Sequence, residues 1–313
     1  MIRVMSYSNG KSKEVDISSF KLTKDLHWIH GYNATLKDLH TLQDKTKIPL
    51  YDLKHVLDMH ERSRIENKSK YSLLIFRGLV TDAGNKRVTS PIEFIFSKNF
   101  VITLTLEDNK NISKVFEEAD LNYWKAVSKA DFGPLVYNIF KALLRDYSDY
   151  LEEVDEDVNT LEDVAYRARD KDMQELHILK REIMFLRKSL SNNKDVFLSL
   201  NEGKVSFLKQ NDMFHELIVE MDQLVGTGEM IRDRITGVTD IYFTAVSNKL
   251  NEVMKSFAVI ASLLLIPMLV SGIYGMNIVL PFQQHPRAFV IVIGIMVASV
   301  AAMIAFFKNK GWV

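Results

Sequence analysis

The sequence predicts an α/β domain, then a long helical region, then a two-helix membrane hairpin. Three observations predict it. From Ile2 to about Leu106, β-rich runs alternate with short helical patterns. From Pro134 onward the period is helical. Near the C-terminal end stand two apolar runs, Ser256 to Ile273 and Ala288 to Phe307. Each is long enough, or nearly so, to cross a bilayer as a helix. The 313 residues leave room for a soluble domain ahead of them.

The α/β part reads as follows. Ile2–Tyr7 and Leu26–His30 have strand composition. Thr35–Thr46 reads as a helix, with Thr35 as N-cap and Leu36, Leu39 and Leu42 at helical spacing. Pro49 is well placed to start another helix over Leu50–Asp58. Tyr71–Val80 is a strand. Pro91–Phe96 and Phe100–Leu106 form a hairpin through Ser97-Lys98-Asn99.

Beyond Pro134, Leu151, Val154, Val158, Leu161, Ala165 and Ala168 follow an alternating three-four spacing. So do Leu176, Leu179, Ile183, Leu186 and Leu190. Such stripes make two helices that pack along each other. Arg169-Asp170-Lys171-Asp172 is the expected turn of this αα-hairpin. Its first arm is acidic, with Asp146, Asp149, Glu152, Glu153, Asp155, Glu156, Asp157, Glu162 and Asp163. A solvated face explains those carboxylates without a metal. From about Asn211 a helical pattern runs into the first apolar span. As one helix to Gly275 it would be roughly 100 Å long. Gly226, Gly228 and Gly237 each cost about 1 kcal/mol in a helix interior, so any irregularity is expected near Gly226–Gly228.

The first apolar run ends in Ser271-Gly272-Ile273-Tyr274-Gly275-Met276-Asn277, and only Ile278 to Arg287 separates it from the second. Gly-Met-Asn after a tyrosine, at the outer end of the first of two C-terminal membrane helices and behind a large soluble region, resembles the CorA-type magnesium channel family. Ile48-Pro49-Leu50-Tyr51-Asp52-Leu53 through His60-Glu61-Arg62-Ser63-Arg64-Ile65-Glu66 resembles the same family's N-domain more loosely.

The resemblance implies a funnel-shaped homopentamer in a lipid bilayer. Residues 1–133 would form a cytoplasmic α/β domain, 134–203 the acidic αα-hairpin, and 204–255 a stalk helix. Residues 256–275 would be a pore-lining membrane helix, 276–287 an outer loop, 288–307 a second membrane helix, and 308–313 a cytoplasmic tail. It also argues for an unbroken stalk, and it implies Mg²⁺ as the transported and regulatory ion, with Co²⁺ or Ni²⁺ as further cargo. Two features depart from the family pattern. The outer loop has no Asp or Glu, and the tail Lys308-Asn309-Lys310-Gly311-Trp312-Val313 is less basic than usual.

Counting back from Gly272 in steps of four and three gives Met268, Leu265, Ala261, Ala258, Met254, Asn251, Ser247, Thr244 and Asp240. These share one helix face. It is small or apolar in the membrane, then polar, then acidic. Phe257 neighbours it at the narrowest part. Several copies around an axis would make this face a pore; a helix-packing seam is the alternative, for which Asn251, Thr244 and Asp240 are poor choices. From Ser256 to Phe307 there is no carboxylate, and the basic side chains are His285 and Arg287 in the loop. Mg²⁺ dehydrates reluctantly. A ring of Asn277 amides would accept hydrogen bonds from its water shell without a charge that traps it. The resemblance implies that Gly275, Met276 and Asn277 are the selectivity filter.

Lys249 and Lys255 precede the first span, Lys308 and Lys310 follow the second, and the loop carries only Arg287. Both termini are then expected in the cytoplasm, in a cell (inner) membrane. Met1-Ile2-Arg3-Val4 shows no signal-peptide core. Lys plus Arg equals Asp plus Glu, at 40 each, so nothing points to nucleic acid. Cysteine is absent, which excludes thiolate metal sites. No Gly-x-x-x-x-Gly-Lys-Ser/Thr stretch provides for ATP, and no enzyme motif is present. His27 and His30 stand three apart and would face opposite ways in a strand. His55 and His60 are equally unsuited to a metal pair, and His60-Glu61 is no zinc motif.

Within the resemblance, closure by intracellular Mg²⁺ is expected between soluble domains. Asp82 and the trio Asp212, Glu216 and Glu220, at helical spacing, are its candidate ligands; surface carboxylates without a site read equally well. A zinc transporter of the same superfamily, sharing Gly-Met-Asn, and a membrane-anchored sensor or scaffold without flux are the alternative functions.

Overall fold

The computed structural model describes residues 1–8, 11–81, 86–118, 132–208, 212–281 and 284–312. It divides into two compact units, Met1–Asp163 with Lys171–Val238, and Val164–Asp170 with Thr239–Val313.

The first unit is built on a seven-stranded sheet. The strands are β1 (Ile2–Ser8), β2 (Lys11–Asp16), β3 (Leu26–Tyr32), β4 (Arg64–Asn67), β5 (Ser72–Thr81), β6 (Arg87–Phe96) and β7 (Phe100–Thr105). Their order is β2-β1-β3-β7-β6-β5-β4. Every pairing is antiparallel except β3 with β7, where Trp28 stands opposite Val101. That parallel pair joins the N-terminal strands to the later meander. The expected hairpin closes with the Ser97 N–H donating to Phe100 O at 2.9 Å.

Alternation along the strands fills both faces. On one side Leu73, Ile75, Ile102 and Leu104 pack with Leu39 and Leu42 of α1 (Leu36–Thr46). On the other, Phe76 and Phe94 meet Phe140 of α4 (Gly133–Ala165), with ring centroids 5.1 and 5.0 Å apart. Phe197 of α5 (Asp170–Asn201) completes that cluster, 5.0 Å from Phe140.

Thr35 caps α1 as its sequence predicts. The Asp38 N–H donates to Thr35 Oγ1 at 3.3 Å, and the Thr35 N–H donates to the Asp38 carboxylate at 2.9 Å, a capping box. The helix expected over Leu50–Asp58 is shorter. It ends as α2 (Leu50–Leu53), followed by a 3₁₀ turn at His55–Leu57. The cause is a buried carboxylate: Glu93 accepts the Val56 N–H at 3.2 Å, which a continuing helix would need for Asp52. Asp52 is itself turned inward onto Lys68 and the Tyr71 hydroxyl.

The edge strands β2 and β4 carry no apolar alternation. Both are charged, as suits an exposed sheet edge; Arg3 of β1 holds β2 through Glu14 at 2.8 Å. Helix α3 (Lys110–Glu118) was likewise not expected. Asn109 opens it by accepting the N–H groups of Asn111 and Ile112, each at 3.1 Å.

The hairpin turn occupies 166–169, not Arg169–Asp172, because Asp170 already opens α5 and the left-handed residue is Ala168, at φ 49°. Helix α6 (Met213–Tyr274) is continuous through all three glycines and Pro267. Gly228 has a packing reason: a Cβ there would sit 3.1 Å from Cγ of Arg187 on α5. The second unit holds the outer half of α6 and α7 (Ala288–Asn309).

His27 and His30 have separate partners. His27 bonds Ser6 and Thr23. His30 is fully buried, with Nδ1 2.9 Å from Thr103 Oγ1. Burial pushes its imidazole down to about 4 from 6.5. The folded state therefore binds its proton less readily than the unfolded state does. Stability from neutral His30 is complete above pH 6.5 and is lost as pH falls toward 4, by about 3 kcal/mol in all. The unfolding temperature of the full chain in detergent, followed by circular dichroism, should fall steeply as pH drops from 7 to 5. His30→Gln should flatten that fall.

Candidate functional site

Helix α6 changes character along its length. Phe214, Leu217, Met221, Leu224, Ile231, Ile235 and Val238 are buried at three-four-seven spacings within the first unit. Outward from Phe243, only Val259 is buried before the helix ends. The rest of this half has an apolar surface with little cover: Met268 is 71 % exposed and Phe257 67 %. A soluble protein does not leave so long an apolar face to water. α6 and α7 are both long and apolar enough to cross a membrane.

The small amount of burial in this half is ordered. Val259 is buried, and Ser262, Leu263, Ile266, Pro267, Val270 and Tyr274 are half-buried. On α7 the corresponding stripe is Ala288, Ile291, Val292, Met296, Ser299, Val300, Met303 and Phe307. The α6 stripe lies about 150° round the helix from the Gly272-to-Asp240 face, at 3.6 residues per turn. Asp240, Thr244, Ser247, Asn251, Met254, Phe257, Ala258, Ala261, Leu265, Met268 and Gly272 are all exposed in the single chain. The structure thus brings these eleven residues onto one helix and leaves them uncovered by their own chain.

At the outer end, α6 stops at Tyr274. The Gly275 N–H donates to Ser271 O at 2.8 Å and the Met276 N–H to Ile273 O at 3.2 Å, closing the last turn. Met276 and Asn277 follow as exposed, non-helical residues. The Tyr274 hydroxyl reaches Pro281 O at 3.4 Å, folding the loop back on the helix end. Gly275 does not need a positive φ. Its reason is close approach: a Cβ would lie 3.1 Å from Ser271 O and 3.6 Å from Gly272 O.

Of the four carboxylates expected to regulate between subunits, the three described ones, Asp212, Glu216 and Glu220, form no metal cluster within the single chain. Asp82 lies outside the described residues, and Asp212 is exposed just before α6. Glu216 accepts the Tyr137 hydroxyl at 2.6 Å and Lys141 Nζ at 3.0 Å, both from α4. Those bonds, the tyrosine's first, hold its carboxyl below the usual range. Burial raises that of Glu220. Glu216 is therefore already neutralised by a neighbour, contrary to the picture of bare facing carboxylates. Among the described residues no cluster of three His, Asp or Glu side chains could hold a metal.

The acidic arm is also partly paired. Arg234 of α6 reaches Asp155, Asn159 and, at 3.1 Å, Glu162. Arg87 of β6 reaches Asp146 at 3.1 Å. No local pattern announces Arg234, because its partners stand more than seventy residues away.

An α/β domain, a long helix and two apolar helices joined by a Gly-Met-Asn loop define a membrane protein with a large extramembrane part. Residues 23–309 match the family model described as CorA-like Mg²⁺ transporter protein, and the chain belongs to that family, whose members are transporters rather than enzymes. The cobalt/magnesium transport protein CorA of Methanocaldococcus jannaschii is 25% identical over 307 residues, covering 97% of this chain and 95% of the relative. That of Thermotoga maritima is 28% identical over 270 residues, covering 83% and 75%. The complete structure of the CorA magnesium transporter from Methanocaldococcus jannaschii superposes with a TM-score of 0.88 at 25% identity, covering 100% of this chain and 99% of that one.

Proposed function

We propose that the chain is a divalent-cation channel for Mg²⁺ uptake, with Co²⁺ or Ni²⁺ as secondary cargo, working as a homopentamer in the cell (inner) membrane. The observation that carries this is the uncovered face of α6, running from Asp240 to Gly272 and ending at Gly275-Met276-Asn277. Five copies of that face around an axis enclose a pore with no carboxylate in its membrane part. Asn277 amides at the mouth hold the water shell of the ion, and Met254 and Phe257 form the narrow apolar section. Residues 256–275 and 288–307 are the two spans, and the lysines at 249, 255, 308 and 310 keep both termini cytoplasmic. The relatives named for cobalt and magnesium transport support the choice of cargo.

The membrane potential supplies the driving force. A divalent ion gains about 4–5 kcal/mol per 100 mV, inside negative. Purified protein in potassium-loaded liposomes, polarised with valinomycin, should pass Mg²⁺ and Co²⁺ in proportion to the imposed potential. Flux of Zn²⁺ alone would move the assignment to a zinc transporter. No flux of any divalent ion would leave a scaffold.

A passive route needs a shut-off, and intracellular Mg²⁺ between soluble domains of neighbouring subunits provides it in this reading. Asp82, Asp212 and Glu220 are the carboxylates left for that role, with Glu216 held by Lys141. Wild-type protein in detergent should be cut faster by trypsin in chelator than in millimolar Mg²⁺. Equal rates in the two conditions would remove the regulatory part and leave the pore part standing.

A further inference from the structure

The loop between α6 and α7 is tied at both ends. At the α6 end the Tyr274 hydroxyl donates to Pro281 O at 3.4 Å. At the other end His285 makes the turn into α7. The Arg287 N–H donates to His285 Nδ1 at 3.1 Å, and the Ala288 N–H donates to His285 O at 2.9 Å. Nδ1 accepts only with its lone pair free, so this imidazole is neutral and carries its proton on Nε2. His285 and Arg287 are both exposed.

The charge around that imidazole is one-sided. Between residues 256 and 307 the ionisable side chains are Tyr274, His285 and Arg287. Tyr274, at the end of α6, is turned onto Pro281 O. Arg287 is the fixed cation of the loop. α7 brings no charged group before Lys308, at its far end. No carboxylate in this stretch offsets a second positive charge. Histidine is the side chain that gains a charge between about pH 8 and 5. A proton on Nδ1 therefore does two things: it cancels the bond from the Arg287 N–H, and it adds a second cation to a loop that already has one.

We infer that His285 is a proton sensor at the outer mouth: once protonated, it adds a ring of positive charge to that of Arg287 and slows entry of the cation. The inference rests on the pore reading, which places Asn277, in the same loop, at the entrance. A mouth built of amides has no negative charge to absorb the added ring, and salt alone screens it. Five charges about 10–15 Å from a divalent ion, in water at physiological ionic strength, lower its local concentration by about two- to sevenfold.

The test uses full-length protein in proteoliposomes, with the potential clamped by valinomycin and a Mg²⁺-sensitive dye inside. Lowering the external pH from about 7.5 to about 5.5 should raise the Mg²⁺ concentration giving half-maximal flux about threefold. His285→Gln keeps an acceptor for the Arg287 N–H and cannot charge; it should hold the wild-type pH 7.5 value at both pH values. His285→Lys should show the raised value at both. Arg287→Gln should lower the half-maximal concentration at pH 7.5 and keep the pH step. Choline chloride at about 0.5 M on both sides should shrink the wild-type step. A wild-type flux indifferent to pH overturns the inference. So does a pH step that persists in His285→Gln, or one that salt leaves unchanged. Should His285→Gln fail to assemble, the Arg287→Gln and salt results decide in its place. Absence of divalent flux at every pH removes the pore reading itself, and the proton sensor with it.

Discussion

Asn277→Ala is expected to abolish Mg²⁺ uptake while leaving the oligomer intact. The residue lies beyond the last turn of α6, exposed and outside the core, so folding does not depend on it. Its role would be chemical. In the proposed pore the membrane part offers no carboxylate, so an entering ion would keep its waters, and those waters would need acceptors at the mouth. Five amide oxygens supply them; five methyl groups supply none. A conservative Asn277→Asp change should also fail, by holding the ion too tightly in a ring of charge. Gly275→Ala should impair uptake for a different reason. Its Cβ would press on Ser271 O at 3.1 Å, and that carbonyl accepts the bond that closes the helix. The checks are ²⁵Mg²⁺ or Mg²⁺-dye uptake into proteoliposomes, with size-exclusion elution as the assembly control. Normal uptake by Asn277→Ala would remove the filter from the reading.

Local patterns made much of the molecule legible from its sequence. The apolar runs, the Thr35 cap and the strands from Tyr71 to Leu106 each carry their signal within a few residues. The continuous α6 was expected from the family resemblance and not from its local pattern, since Gly226, Gly228 and Gly237 argued the other way; helix packing at Gly228 outweighs its propensity cost.

What escaped depends on partners distant in sequence. β2 is a strand because Arg3 and β1 make it one, not because Lys11–Asp16 has strand composition. α2 stops early because Glu93, some forty residues on, takes the Val56 N–H. Glu216 looked like a bare carboxylate because Tyr137 and Lys141 lie on another helix. The exposed face of α6, by contrast, was legible as a stripe because its three-four spacing is local.

Single cysteines at 240, 247 and 251 should cross-link between subunits under mild oxidation, and one at 253 should not. The background is clean, because the protein has no native cysteine. Exposure does not separate these positions: Asp240, Ser247 and Asn251 are exposed in the single chain, and Val253 is too, at 45 %. Only the assembly can tell them apart. Val253 is turned about 160° from Asn251 round the helix, at 3.6 residues per turn. A disulfide needs Cα atoms about 4.4–6.8 Å apart. Neighbouring helices around an axis offer that separation only on the inward face. Oxidised Asn251→Cys should also lose at least about tenfold in flux and recover with reductant, since a tied constriction cannot widen. Non-reducing gels and flux before and after reduction measure both effects. Equal cross-linking at all four positions would mean that this face of α6 does not line an axis.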